Sequence, residues 1–169
     1  HGSNDIQESG HGLVLGPNDL AKLGQLYLQG GLTCGSESTE LISADFVNAS
    51  SSNQLISPMS IYQCCVCDFF KSDDAGYGYM QWLHKTASGP ANCALGHQGQ
   101  FICNWPGLDL TIAITSNEFT GYDSSCRLLG LVATGLDFES LTALTPSSTA
   151  TLTGLFGLLS VSVVAFVLV

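Results

Sequence analysis

Leu110, Ile112 and Ile114 alternate with Thr111, Ala113 and Thr115. A period of two is what a strand with one apolar face needs. Just before it stands Pro106-Gly107, a turn signal, and before that the stretch Ala94 to Trp105 reads as another strand. Two strands so joined should pair as an antiparallel hairpin. Tyr77 to Leu83 makes a third strand candidate. Gly16-Pro17-Asn18-Asp19 opens a helix, with Pro17 suited to the first turn and Asp19 to its positive end. Leu20, Leu23, Leu26 and Tyr27 recur at helical spacing as its core face, Lys22 reads as solvated, and Gly30-Gly31 stops the run. Ser43 caps a second helix carrying Ala44, Phe46 and Val47, and Asp123-Ser124 begins a third with Cys126, Leu128, Leu129, Leu131 and Val132. Tyr77, Tyr79 and Trp82 read as sheet and core aromatics.

Composition narrows the partners. With 169 residues, 45% hydrophobic and 11% charged, the chain has material for one domain with a core and is not a disordered acidic tail. Fourteen Asp and Glu against four Lys and Arg give a charge of −10. Lys22, Lys71, Lys85 and Arg127 are scattered, so no cationic stripe is available for a phosphate backbone, and nucleic acid is excluded as a partner class.

Cysteine usage and the C-terminus bear on compartment. Seven cysteines (Cys34, Cys64, Cys65, Cys67, Cys93, Cys103 and Cys126) favour an oxidising route, and the odd count leaves at least one thiol unpaired within the chain. Asn48-Ala49-Ser50 is an N-glycosylation acceptor pattern. From Leu152 to Val169 run eighteen residues without a charge. That length reads as a hydrophobic helix, which could be a glycolipid (GPI) signal attached near Ser147 and Ser148, a membrane-spanning anchor, or a buried core helix. The first two readings place the protein on the extracellular face of a membrane. Cys64-Cys65-Val66-Cys67 with His84 is the one grouping that could hold zinc, and no second Cys-x-x-Cys or His pair accompanies it, so no metal or other cofactor is expected.

Several segments, taken in order, resemble the C-terminal part of the serine β-lactamase and penicillin-binding-protein superfamily, in its class C-like branch. They are Gly12-Leu13-Val14 with Gly16 to Leu28 and Gly30-Gly31, then Ile42 to Val47, Tyr77-Gly78-Tyr79 with Gln81-Trp82, Gly96 to Phe101, Pro106 with Leu108-Asp109-Leu110, and Thr115-Ser116-Asn117. The resemblance implies an α+β fold of the α/β sandwich type, an antiparallel sheet with helices packed on it, as a partial β-lactamase or transpeptidase-like fold over residues 1–136; a linker follows over 137–151 and the apolar tail over 152–169. It implies that His97-Gln98-Gly99 corresponds to the third active-site motif, on the sheet's edge strand and lining the pocket. His97 would orient substrate or move protons, Gly99 would let substrate approach the backbone, and the Gln100 N–H would be one donor to the oxyanion of acyl transfer. The partner would be a small ester or amide.

The family's chemistry also needs Ser-x-x-Lys, which places an amine beside the nucleophile, and Tyr-x-Asn or a relative. Neither occurs: the three lysines are preceded at the third position by Asp19, Asp68 and Trp82, and the five tyrosines are followed two residues on by Gln29, Cys64, Tyr79, Gln81 and Ser124. The resemblance therefore implies the C-terminal part of a secreted, membrane-anchored serine hydrolase whose N-terminal half completes the domain, this chain alone being inactive. A non-catalytic surface binding protein on the same scaffold is the alternative.

Overall fold

The computed structural model describes residues 12–34, 37–55, 76–86, 89–117, 125–126, 129–130 and 161–168. Its centre is an antiparallel sheet: β1 (Gly76–Tyr77), β2 (Trp82–Thr86), β3 (Gly89–Gly96), β4 (Gln100–Trp105), β5 (Leu110–Ser116) and β6 (Val161–Leu168), neighbours in chain order throughout. Helices α1 (Pro17–Leu28) and α2 (Ala44–Ser50) accompany it, so the class is α+β.

The alternation in β5 is the pattern the sheet uses. Leu110, Ile112 and Ile114 join Phe101, Cys103 and Trp105 of β4 and Ala91 and Cys93 of β3 in one buried cluster, which Leu129 completes. Residues 125–126 and 129–130 are helical, in line with a helix beginning after Asp123. Thr111 and Ala113 are fully buried as well, because α1 lies across β4, β5 and β6 on the opposite face. Register follows from the turns: Trp105 pairs with Leu110 across the Pro106–Leu108 turn, which Asp109 closes in the left-handed region at φ 53°.

α1 starts and stops where its punctuation says. Gly16 is the N-cap and Pro17 fills the first position, where a missing N–H costs nothing. At the far end Gly30 N donates to Tyr27 O at 3.1 Å and Gly31 N to Leu26 O at 2.8 Å, the two bonds of a Schellman stop, with both glycines at positive φ. Its buried residues are Ala21 and Gly24, whereas Leu23 is 37% exposed. The leucine face expected to be core is therefore only partly so. Small residues carry the docking because the helix sits so close to the sheet that a Cβ on Gly24 would press on Thr111 Cγ2, Asn104 Oδ1 and Ile102 Cγ2. Lys22 is solvated, with its Nζ 2.8 Å from Asp19 Oδ1.

α2 has the Ser43 cap expected of it, the hydroxyl accepting from Phe46 N at 3.3 Å. Asn92 Nδ2 of β3 donates to Ser51 Oγ at 3.1 Å, and Tyr77 N to Asn53 Oδ1 at 3.2 Å, which bind the helix's exit to the sheet. Asn48 is exposed on α2, while Ser50 of its sequon is fully buried and bonds Val47 O at 2.8 Å.

Three expectations need correction. Ala94 to Trp105 is not one strand but the end of β3, a tight turn and β4, because Gly96 and Gly99 break the run and Gly99 takes φ 84°. Tyr77 to Leu83 is likewise folded back on itself, with Met80 at φ 60° in the turn and Tyr77 paired with Trp82. The expected C-terminal hydrophobic helix is not observed: residues 161–168 form β6, antiparallel to β5 from Leu110↔Leu168 to Ser116↔Val161. Four valines and a phenylalanine in those eight residues favour a strand over a helix, since branching at Cβ restricts helical rotamers. Among the described residues no helix is long and apolar enough to cross a membrane. The linker at 137–151, Ser147 and Ser148, and the Cys64–Cys67 cluster lie outside the described residues.

Candidate functional site at the β3–β4 turn

The residues singled out for chemistry fall at one end of the sheet. His97, Gln98 and Gly99 form the turn between β3 and β4, with Gly96 paired to Gln100 at its base. They do not lie on an edge strand, since β3 and β4 are both interior to the sheet. A turn this tight forces two successive residues into the left-handed region, Gln98 at φ 61° and Gly99 at φ 84°. For glutamine that conformation is uncommon, and for Gly99 it is the reason no other residue fits easily.

His97 is exposed at the turn's start, and Gly99 is buried beneath it. Ser125 Oγ donates to Gly99 O at 3.2 Å, and a Cβ on Gly99 would press on Ser125 Oγ and come within 3.2 Å of Ser116 Cβ. The Ser116 hydroxyl is buried and has no hydrogen-bond partner among the described residues. Gln100 acts through its side chain: its Oε1 accepts from Ser116 N at 3.3 Å, and its Nε2 donates to Ser116 O. An amide side chain thus mimics a peptide group and extends the β4–β5 ladder beyond Phe101↔Ile114. The turn is held on one side by Gln100 and on the other by Ser125.

The structure therefore brings His97, Gly99 and Gln100 together and adds Ser116 and Ser125. Ser116 lay within Thr115-Ser116-Asn117, one of the resembling segments, but nothing in that tripeptide says it ends beside Gly99. Ser125 had no signal beyond its place at a helix start. Chemically, the group offers an exposed imidazole, a side-chain-free backbone position and buried hydroxyls. The exposed imidazole can donate a hydrogen bond to a ligand, while Ser125 Oγ is engaged with Gly99 O and Ser116 Oγ is buried, so these hydroxyls belong to the turn's own packing.

Other titratable groups stand apart. His84 on β2 is 3% exposed, and burial lowers its pKa from 6.5 to about 3, so it is a neutral core imidazole. Trp105 Nε1 donates to Thr86 Oγ1 at 3.1 Å nearby, closing the β2–β3 turn onto β4. Cys93 and Cys103 are directly opposed on β3 and β4, Cα atoms 4.1 Å apart, and form a disulfide with both residues fully buried. Cys126 is also disulfide-bonded, and Cys34 is a free, exposed thiol, as the odd count requires of at least one cysteine. Tyr79 departs from its expected core role: it is 47% exposed and stacks on Phe46 of α2 at 6.0 Å. Tyr77 instead packs edge-on against Trp82 at 4.7 Å. Comparison of the chain with protein-family models, with curated proteins and with solved structures found no match.

Proposed function

We propose that this chain supplies the sheet and pocket edge of a β-lactamase-like serine hydrolase, which cleaves an ester or amide through an acyl-serine, while the nucleophile belongs to another part of the domain. The observation that carries the reading is the β3–β4 turn: His97 exposed, Gly99 at φ 84° and Gln100 fixed to Ser116 at one sheet end. A backbone held there needs no reorganisation when charge develops on a carbonyl oxygen. The segments that carry the resemblance also fall on structural punctuation: the α1 start and stop, the α2 cap, two hairpin turns and the end of β5. The buried Cys93–Cys103 bond supports passage through an oxidising, secretory compartment.

The test is acylation of the complete gene product by a fluorescent penicillin and by a p-nitrophenyl ester, with the labelled residue found by mass spectrometry. The reading expects an acyl-serine within a Ser-x-x-Lys outside these 169 residues, and a fall of at least tenfold in turnover on His97→Ala. A label on a serine of this chain would overturn it. One observation favours a second reading, a non-catalytic binding protein on the same scaffold: neither Ser-x-x-Lys nor Tyr-x-Asn occurs in the chain. A complete gene product that also lacks Ser-x-x-Lys and takes up no label would decide for that alternative.

A further inference from the structure

Of the seven asparagines, only Asn48 is followed two residues on by serine or threonine with no proline between. Several of the others have work within the fold. Asn53 Oδ1 accepts from Leu55 N and Tyr77 N, both at 3.2 Å, Asn92 Nδ2 donates to Ser51 Oγ at 3.1 Å, and Asn104 Oδ1 accepts from Thr111 Oγ1 at 2.9 Å. Asn92 and Asn104 are buried as well. Asn48 is exposed, and its side-chain amide makes no hydrogen bond among the described residues. Only its carbonyl is used, accepting from Ser52 Oγ at 2.7 Å.

The helix leaves room around that amide. Side chains three and four residues apart share a helix face, and those flanking Asn48 are Ala44, Asp45, Ser51 and Ser52, all exposed and small. The inner face carries Val47 and Ser50, both buried. Ser50 Oγ donates to Val47 O at 2.8 Å, and the β1–β2 turn lies so near that a Cβ on Gly78 would press on Ser50 O. An enzyme that reads the acceptor pattern needs the asparagine amide and the hydroxyl together. Residues two apart on a helix do not face each other, so the folded chain presents Asn48 and hides Ser50.

We infer, independently of the hydrolase reading, that Asn48 carries an N-linked glycan, added before α2 folds and displayed on the helix's solvent face afterwards. The donor is a lipid pyrophosphate-linked oligosaccharide. Asn48 Nδ2 bonds to C1 of the first sugar, the bond from C1 to the pyrophosphate oxygen breaks, the lipid pyrophosphate leaves with the electron pair, and one amide proton is released. The buried Cys93–Cys103 bond is at home in an oxidising compartment, and the secretory route supplies both that and the donor. In the complete gene product isolated from its source cells, peptides containing Asn48 should carry hexose and N-acetylhexosamine, and peptide-N-glycosidase should convert Asn48 to aspartate. Ser50→Thr should keep the glycan and Ser50→Ala should lose it; because transfer precedes folding, neither result depends on how well the variant folds. Detergent-solubilised microsomes given the lipid-linked donor should modify the reduced and alkylated gene product at Asn48 at least tenfold faster than the folded, unglycosylated product of a bacterial host. An unmodified Asn48 in the product from source cells, or a glycan there that survives Ser50→Ala, would overturn the site. Equal rates on folded and alkylated chains would overturn the order of events.

Discussion

Gly24 shows how one residue can set the distance between layers. Leu23 beside it carries the larger apolar side chain yet is 37% exposed, because α1 rests on the sheet through the positions where it has least bulk. Gly24→Ala gains about 1 kcal/mol of helix propensity. Against this, the new methyl meets Thr111, Asn104 and Ile102 together, and Thr111 Oγ1 is held by its 2.9 Å bond to Asn104 Oδ1, so it cannot swing away freely. Overpacking of this kind costs about 1–3 kcal/mol, so the variant should be less stable by up to about 2 kcal/mol in urea unfolding. Thr111→Ser keeps the hydroxyl and removes the offending methyl, so the double variant should recover most of the loss. If the two effects merely add, the contact is not the cause. His84 gives a prediction in pH. Its folded pKa is about 3 against 6.5 in the free side chain, so below pH 6.5 the unfolded chain binds a proton that the folded chain refuses. Stability conferred by the neutral imidazole is complete above pH 6.5 and declines as pH falls toward 3, at up to about 1.4 kcal/mol per unit. Between pH 7 and 5.5, where carboxylates remain ionised, urea midpoints should fall with pH, and His84→Leu should flatten that slope. An unchanged slope in His84→Leu would show that another group governs it.

At the scale of elements, the sequence was legible wherever a local signal had one meaning. Gly16-Pro17 and Gly30-Gly31 bracket α1 because proline and glycine each fit one end of a helix, and Ser43 caps α2 for a similar reason. The Pro106-Gly107 turn gave the β4–β5 hairpin. A glycine inside an apolar stretch has more than one meaning. Gly96 and Gly99 fall inside the stretch expected to be one strand, yet they make a turn, and His97 therefore stands at a hairpin tip rather than on an edge strand. For residues 161–168 apolar length alone does not separate helix from strand, while their β-branching does. The site was legible only as a tripeptide. Ser116 and Ser125 reach Gly99 through pairing and packing between distant segments. The Cys93–Cys103 bond joins the two strands on either side of that turn, at a sequence separation of ten. Closing a loop of that size removes unfolded-state entropy worth about 2–3 kcal/mol. Cys93→Ala with Cys103→Ala should therefore lower stability by at least this amount, and more through lost packing at two fully buried sites. Substitution is the right test, since a reductant would also cut the bond at Cys126. A double variant as stable as the parent would mean that the hairpin is held by its ladder and turn alone.

The whole molecule combines a sheet whose strands β3 to β6 carry no charge with a strongly acidic remainder. With fourteen acidic groups and four basic ones, few opposite charges are available to offset self-repulsion, and the Lys22–Asp19 pair is exposed and local. Compaction brings carboxylates closer than they are in the unfolded chain, so net charge opposes folding. Salt shortens the reach of that repulsion: the Debye length falls from about 30 Å at 0.01 M to about 8 Å at 0.15 M. The thermal midpoint should therefore rise as sodium chloride is raised from 10 to 150 mM, on the order of a few degrees for a domain of this size. Most of the gain should come within that range. Sodium chloride and sodium perchlorate should act alike at these concentrations if screening is the cause, because specific anion effects need more salt or a cationic site, and the four basic residues are scattered along the chain. A midpoint that falls with salt would mean that ion pairs, not repulsion, dominate the electrostatics of the fold. The measurement belongs at the lowest protein concentration that gives a signal, because salt also screens repulsion between acidic copies. A midpoint that depends on both salt and protein concentration would therefore report on screening within one copy and between two.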